Sequence, residues 1–589
     1  MKLSSYVIRF LADKGITAVF GMSGGAAVHL LDSVSRQDGI EFVCSEHEQS
    51  AAISADGYAR TTGKLGVAIT TSGPGATNLL TGTCCSFYDS VPTLMLTGQV
   101  ASHRLKGDLP IRQRGFQETD VVSIFSSVTK YAVQLKNPED IRYCLEKAYY
   151  MAFEGRPGAV LIDIPDDFQR AEIDPETLAG FDVPAKEKQP VENKITQMMR
   201  AFCAAKRPVI VLGGGLKTPD LDYDVAGLID RLDVPALTTW AAVDLLPHDY
   251  RLNMGSFGVY APRLGNYVVQ NADFILCLGT RLSQNLTGGI LSSFARAAEI
   301  AMIDVSAGEM DKFDGFGIRI DHRIVARMED AFPVLEGIDS PQTSDAKKAW
   351  HVTIQTWRQT FGRENFDPPV TEGCVNAYQF IENISDFVSE NEIVFADTGG
   401  NLTWTCNAFR FKQGQRLYSA WNNTPMGYSL PAAIGAAAAN PEAFFTCLIG
   451  DGGLMICLSE LATLVKHQMK IRVFLFNNHG HGIQKQTLET WLDGNYVGVH
   501  DPSGLAFTNF AEVAAAMGLK TYTLDKLETL QGELALIFNE PGPVFVNVEI
   551  NPDQRLFPVL KFGAALEDQL PALGEDVIEE YMVIPPFSV

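Results

Sequence analysis

Short unbroken apolar runs recur along the whole chain, and the stretches between them carry the three-to-four-residue apolar spacing of helices. Runs at 41–44, 65–70, 93–97 and 159–164 predict buried strands in the first part of the chain. Runs at 208–212, 235–239, 274–278 and 299–304 do so in the middle, and 392–396, 444–449, 472–476 and 543–548 in the last part. An unbroken apolar run fits a strand covered on both faces, as in a parallel sheet. Helices are predicted for the first residues up to Gly15, for 48–63, near 347–361, and for 430–439 and 458–467. This βα alternation predicts an α/β chain of doubly wound parallel sheets with helices on both faces. Three domains are expected, at 1–170, 190–335 and 373–550, with polar, proline-containing connections at 166–194 and 337–372. The first and third have similar size and rhythm. Residues 551–589 read as a C-terminal arm lying over the body or over the active site.

Composition narrows the function. A chain of 589 residues exceeds what one core supports. A formal charge of −23 argues against nucleic acid or an anionic membrane as partner. An anionic cofactor must then be held by local amides, a metal and a few cations. No apolar run approaches the ~20 residues of a membrane helix. The first residues lack a secretory h-region and cleavage site. Ten scattered cysteines without a CxxC fit reduced thiols in a cytoplasm.

The chemistry starts at two strand ends. The run at 444–449 leads into Gly450-Asp451-Gly452-Gly453, and the run at 472–476 into Asn477-Asn478. Both lie at the carboxyl edge of neighbouring parallel strands, where open sheets bind ligands. One carboxylate and one amide oxygen suit a hard cation such as Mg²⁺, which takes further oxygens from phosphate. The glycines let a diphosphate approach the backbone. Gly-Asp-Gly, a 24-residue spacer (453–476) and Asn-Asn together resemble the signature of thiamine-diphosphate (ThDP) enzymes. Such chemistry needs one carboxylate beside N1′ of the aminopyrimidine, to relay the proton that activates the thiazolium. Glu48, directly after a strand and at a helix start, has that placement, although a carboxylate there also simply favours the helix dipole.

The segments 45–60, 72–78, 116–118, 155–158 and 163–165 resemble motifs of the acetolactate (acetohydroxyacid) synthase family, and the resemblance runs to about residue 550. It implies that Glu48 is the catalytic glutamate. It implies that Gly25, in Gly21–Gly25, lines the reacting carbon and that Gln117 stands near it. Met426, in 424–431, would wedge between the cofactor's two rings, a gap an unbranched Met fills well. Gly399, Gly400, Asn401, Thr424, Gly450, Asp451, Gly452, Gly453, Asn478, His481 and Gly482 would surround ThDP. Mg²⁺ would take Asp451, Asn478 and the backbone oxygen of Gly480. The site would lie between subunits, in a homodimer or homotetramer.

In the middle segment Gly213-Gly214-Gly215 follows a strand and precedes a helix, which suits a phosphate at a helix N-terminus. Synthases of the family bind FAD there, while related decarboxylases leave the place empty. The resemblance puts Arg156, Thr238, Arg281, Asp304 and Asp321 at the flavin cofactor. Without FAD the glycines serve only the turn.

Three departures from the family bear on the acceptor. Asn285 stands where the family holds the second 2-oxo acid's carboxylate with arginine, Thr487 where it has tryptophan, and Asp166 where it has lysine. The paired histidines of simple pyruvate decarboxylases are missing from 111–115. His479 and His481 either position an acceptor hydroxyl or are solvated. The expected activity is decarboxylation of a 2-oxo acid donor, most simply pyruvate, and transfer of the hydroxyethyl unit to a carbonyl acceptor. The alternatives are a synthase joining two pyruvates, a decarboxylase releasing an aldehyde, and a non-catalytic subunit of the same fold.

Overall fold

The computed structural model describes residues 1–185, 190–217, 223–338, 344–361, 373–561 and 563–588. Parts of both expected connections, 186–189, 339–343 and 362–372, lie outside the described residues. The first sheet contains β1 (Ala18–Gly21), β2 (Glu41–Cys44), β3 (Gly66–Thr70), β4 (Thr93–Gln99), β5 (Tyr131–Gln134) and β6 (Ala159–Pro165). Its order is β2-β1-β3-β4-β6-β5. The central sheet contains β7 (Pro208–Leu212), β8 (Ala236–Thr238), β9 (Asn253–Ser256), β10 (Phe274–Leu278), β11 (Glu299–Asp304) and β12 (His322–Val325). The third contains β13 (Ile393–Ala396), β14 (Arg416–Tyr418), β15 (Phe445–Gly450), β16 (Ile471–Asn477), β17 (Lys520–Leu524) and β18 (Val544–Glu549). Its order, β14-β13-β15-β16-β18-β17, repeats that of the first sheet. The central order, β12-β11-β10-β7-β8-β9, is instead that of dinucleotide-binding sheets. Every pairing in the three sheets is parallel.

Interior strands such as β3, β7 and β10 are buried at every position, which is why their apolar runs are unbroken. The strands that the apolar pattern misses are β5, β9, β12, β14 and β17, all at sheet edges, and the four-residue β1. An edge strand is half-exposed, so its sequence lacks the continuous run. One helix also starts earlier than expected. Asp451 is itself the first residue of helix Asp451–Cys457, and Glu460–Lys466 follows as a separate helix. The Gly-Asp-Gly-Gly run therefore forms a helix N-terminus, with Gly450 as its cap.

The first and third domains share one continuous core, with Ile53 and Tyr58 packed in the same cluster as Ile434 and Leu461. Helix Glu48–Thr62 lies against helix Ser429–Ala439 at backbone distance. A β carbon on Gly57 would come within 2.1 Å of Ala432 O, and one on Gly435 within 1.9 Å of Ser54 O. The C-terminal residues strap the central domain. Asn266 Nδ2 donates to Leu566 O at 3.1 Å, and Trp357 Nε1 to Tyr581 O at 3.0 Å. On the way, Arg555 pairs with Glu489 on helix Gly482–Leu492 through Nη2 at 2.6 Å and Nε at 2.8 Å. Among the described residues no helix is long and apolar enough to cross a membrane.

Candidate active site

Strand order sets where ligands can enter. In the third sheet the chain turns outward on opposite sides of β13 and β15, which opens a crevice at their carboxyl ends. Asp397 and Gly399 leave β13 there, and Gly450 and Asp451 leave β15. Asp451 is buried, its Oδ1 accepting from Gly452 N at 2.6 Å and its Oδ2 from Gly480 N at 3.0 Å. Burial raises its pKa to about 6 against those two amides. The amide oxygen of Asn478 lies 2.8 Å from Gly480 O and 3.2 Å from Asp451 Oδ2. In this orientation of the Asn478 amide three oxygens face each other. A turned amide would hydrogen-bond both neighbours, and a cation at the centre would satisfy all three as they stand. No cluster of three His, Cys, Asp or Glu side chains suited to a metal occurs among the described residues. The oxygen cluster uses one carboxylate, one amide and one carbonyl. Gly482 is required beside it, since a β carbon there would lie 2.6 Å from Asn478 Nδ2.

Above this cluster is an apolar cleft of about 140 Å³ lined by Met426, Gly452, Met455, Ile456, His481, Leu505, Ala506 and Phe507. All of these belong to the third domain. A β carbon on Gly452 would sit 2.5 Å from His481 Nε2 and 3.7 Å from Met426 Sδ, so the glycine keeps the floor open. The two histidines separate. His479 pairs with Glu549 at 2.8 Å and turns away, whereas His481 faces the cleft. Asn401 donates to Asp397 O at 2.9 Å and points its Oδ1 towards Gly399 and Gly450. Gly399 has φ +94° and caps helix Gly400–Ala408, a conformation that favours glycine. Thr424, at φ +43°, bends the chain into the Met426 loop.

Asp397 holds that loop, a role the sequence reading did not assign. It is fully buried and accepts from Gly427 N and Tyr428 N, each at 2.9 Å. Burial outweighs these donors and raises its pKa to about 6. Gly453 passes so close that a β carbon would fall 1.9 Å from Asp397 Oδ2.

In the first domain the equivalent crevice lies between β1 and β3. Glu48 begins its helix and is buried, with Asn78 Nδ2 donating to its Oε2 at 2.9 Å. Its Oε1 lies towards Gly75. Gly25 leaves β1 facing open space, whereas Gly24 is pressed against Thr71. Gln117 adopts φ +62°, packed against Gly73, and its neighbour Phe116 is 85% exposed.

In the central domain the crevice lies between β7 and β10. The expected helix N-terminus is not formed by the three glycines. A short 3₁₀ turn, Gly214–Leu216, follows β7, and the amides of Gly213 and Gly215 donate to Leu278 O and Gly279 O, both at 2.9 Å. These glycines let the β7 and β10 loops touch backbone to backbone. Arg156 reaches across from the first domain to Asp304 at 2.8 Å, and Arg281 bonds to Glu309 at 3.4 Å and to Asn422. Thr238 is fully buried and its hydroxyl has no partner among the described residues. Asp321 does not join them. It exchanges hydrogen bonds with Ile300 at the opposite end of β11 from Asp304, about 13 Å away along the strand, and pairs with Arg319. The reading of Asp321 as a flavin contact is corrected accordingly.

Comparison with known proteins agrees with this arrangement. Family models match at residues 1–124 (thiamine pyrophosphate enzyme, N-terminal TPP binding domain), 195–334 (central domain) and 397–548 (C-terminal TPP binding domain). The large subunit of acetolactate synthase isozyme 1 from Escherichia coli is 30% identical over 95% of this chain and 96% of its own length. The Haemophilus influenzae acetolactate synthase large subunit is 30% identical over 96% and 97%. A probable acetolactate synthase large subunit from Methanocaldococcus jannaschii is 30% identical over 96% and 94%. The chain belongs to the acetolactate synthase family. It is a thiamine-diphosphate-dependent enzyme.

The three residues read from the sequence as bearing on the acceptor take definite positions. Asn285 is exposed, and its chain neighbour Gln284 lines a cavity of about 410 Å³ together with Leu282, Thr287, Lys312, Phe313 and Phe316. Lys312, the charged side chain of that lining, is paired with Glu309 at 2.7 Å. Thr487 spends its hydroxyl on Ile483 O at 2.9 Å within its own helix. Asp166 lies near His29 and Arg170 and presents no cation.

Proposed function

We propose that this protein is a ThDP- and Mg²⁺-dependent carboligase that decarboxylates pyruvate or a close 2-oxo acid and joins the two-carbon unit to a neutral carbonyl acceptor. The observation that carries the reading is the trio of oxygens from Asp451, Asn478 and Gly480 beneath a cleft roofed by Met426 and His481. Its donor set suits Mg²⁺, and the glycines at 399, 450 and 452 leave the room a diphosphate needs. ThDP supplies the carbanion-stabilising chemistry when bound. Glu48 would hold and return the proton at Oε1, while Asn78 fixes Oε2. Met426, Met455, Ile456 and Phe507 would exclude water from the reacting atoms.

The cleft has walls from the third domain alone, and Met455, Ile456 and Phe116 are exposed. Both facts support a dimer in which a second chain brings Glu48 and Gln117 to the cleft. The central crevice fits FAD in its strand order, in the Thr238 hydroxyl, which lacks a partner among the described residues, and in Arg156 and Arg281 at its rim. No redox step is required of it. Ten unpaired cysteines suit a reducing cytoplasm.

Acceptor choice rests on Asn285 and Thr487. A carboxylate acceptor would lose a charge-assisted contact worth about 1.5–3 kcal/mol. A competition assay with pyruvate as donor tests this. A neutral aldehyde or ketone should outcompete 2-oxobutyrate, and Asn285→Arg should narrow the difference. Preference for 2-oxobutyrate or a second pyruvate in the unmodified enzyme would favour the alternative reading, an acetolactate synthase like the named relatives.

A further inference from the structure

A buried ionic cluster lies where the three domains meet. Asp56 and Arg60 stand one turn apart on helix Glu48–Thr62, and Asp89 ends helix Leu80–Asp89. Arg60 donates to Asp56 Oδ1 at 2.6 Å and to Asp89 Oδ2 at 2.8 Å. Both carboxylate side chains are buried. Two buried carboxylates sharing one guanidinium need further donors, because an under-satisfied buried charge is costly. Ser86 of the first domain donates to Asp56 Oδ2 at 3.0 Å, and the third domain supplies the rest. Tyr428 OH donates to Asp56 Oδ1 at 2.6 Å. Trp421 N donates to Asp89 Oδ2 at 2.8 Å, and Asn422 donates to Asp89 Oδ1 from its backbone at 3.1 Å and from Nδ2 at 2.6 Å. The side-chain oxygen of Asn422 in turn accepts from Arg281 of the central domain.

Asn422 is therefore held by the first and central domains at once, four positions before Met426. Little slack separates them. Asn423 Nδ2 donates to Thr81 O at 3.4 Å, Thr424 is fixed at φ +43°, and the ring of Pro425 fixes its own φ. On the far side Gly427 and Tyr428 are pinned by Asp397. Met426 sits between two anchors, and only the second belongs to its own domain.

We propose that Asn422 is a positioning residue for Met426, fixing it against the first domain through Asp89 and against the central domain through Arg281. The proposal rests on the reading of Met426 as the wedge that bends ThDP. A displacement of about 1 Å in a group that positions reactants can cost about 10²-fold in rate.

The test uses the full-length protein stripped of cofactor and resupplied with Mg²⁺. ThDP affinity is measured by calorimetry and the near-ultraviolet circular dichroism of bound ThDP is recorded, alongside melting temperature. Variants are Met426→Ala, Asn422→Ala and Asn422→Asp. Asn422 is exposed, and Asp89 keeps its bonds from Arg60, Trp421 N and the backbone of residue 422 in every variant, so the variants should fold. Asn422→Ala should weaken ThDP binding about 10-fold, the equivalent of one lost hydrogen bond to a charged group. Its dichroic band should move towards that of Met426→Ala. Asn422→Asp keeps an acceptor for Arg281 but sets a carboxylate against Asp89, and should lose affinity too. Unchanged affinity and spectrum in Asn422→Ala, with both altered in Met426→Ala, would overturn this proposal alone. A lowered melting temperature with unchanged affinity and spectrum would also overturn it, leaving Asn422 a purely structural role. If Met426→Ala itself changes neither, the wedge reading fails first.

Discussion

Asn478→Asp sets a second carboxylate beside Asp451, and its effect should depend on whether a divalent cation lies between them. In the present geometry the side-chain oxygen of Asn478 is 3.2 Å from Asp451 Oδ2 and 2.8 Å from Gly480 O. Two unit negative charges at that separation repel by about 5 kcal/mol at an effective dielectric of about 20. Asp451 already holds its proton to about pH 6 because of burial, so the added charge falls on a site with little tolerance. Without metal, the variant at pH 8 should either melt well below the unmodified protein or keep one carboxyl protonated. With a divalent cation the same two charges become two ligands, and the sign reverses. The assay is thermal unfolding in EDTA, in NaCl of matched ionic strength, and in MgCl₂ with ThDP. The variant should lose more than the unmodified protein in EDTA and regain more in MgCl₂. Asp451→Asn, with no carboxylate left in the cluster, should lose the Mg²⁺ response and with it tight ThDP binding. Equal rescue by NaCl and MgCl₂ would refute the cation site and leave the turned, hydrogen-bonded amide of Asn478 as the correct description.

Further tests address the relay, the domain contact and a buried acid. Glu48→Gln should retain ThDP while slowing exchange of its C2 proton by about 10²–10⁴-fold, and a near-normal exchange rate would remove Glu48 from the relay. Gly435→Ala would force a β carbon to 1.9 Å from Ser54 O, so helices Ser429–Ala439 and Glu48–Thr62 must separate. A loss of about 1–3 kcal/mol is expected, read as earlier urea unfolding, with Ala437→Gly as a control that adds no bulk. Asp163 is fully buried among Thr97, Gln99 and Gln134, and burial raises its pKa to about 6 from 3.8. A raised folded pKa contributes stability that is complete below about pH 4 and lost as pH rises through about 6. Relative to Asp163→Asn, the unmodified protein should thus lose about 3 kcal/mol across that window, and a pH-independent difference between the two would contradict it.

The local code determined much of this molecule. Unbroken apolar runs located the interior strands β3, β7, β10, β11 and β15 because a strand covered on both faces has no polar positions to interrupt it. Gly-Asp-Gly-Gly and Asn-Asn marked residues that the fold brings together, because both motifs sit at strand ends, where sequence spacing and space coincide. What the sequence left undecided was settled by contacts between residues far apart in the chain. Edge strands such as β14 and β17 owe their form to a neighbour, not to their own apolar content. His479 and His481 look alike in the sequence, and only the nearness of Glu549 turns one away and leaves the other in the cleft. Gly213 and Gly215 suggested a phosphate loop, yet the partner of their amides is β10, some sixty residues on. Asp321 follows the same logic in reverse, since strand direction put it at the wrong end of β11 for the role its neighbourhood implied. The first and third domains meet through Gly57 and Gly435, where the missing side chains give no local signal and matter only once two helices are brought together. Short-range pattern fixes which segments are buried, while hydrogen-bond partners and close backbone approach depend on the packed whole.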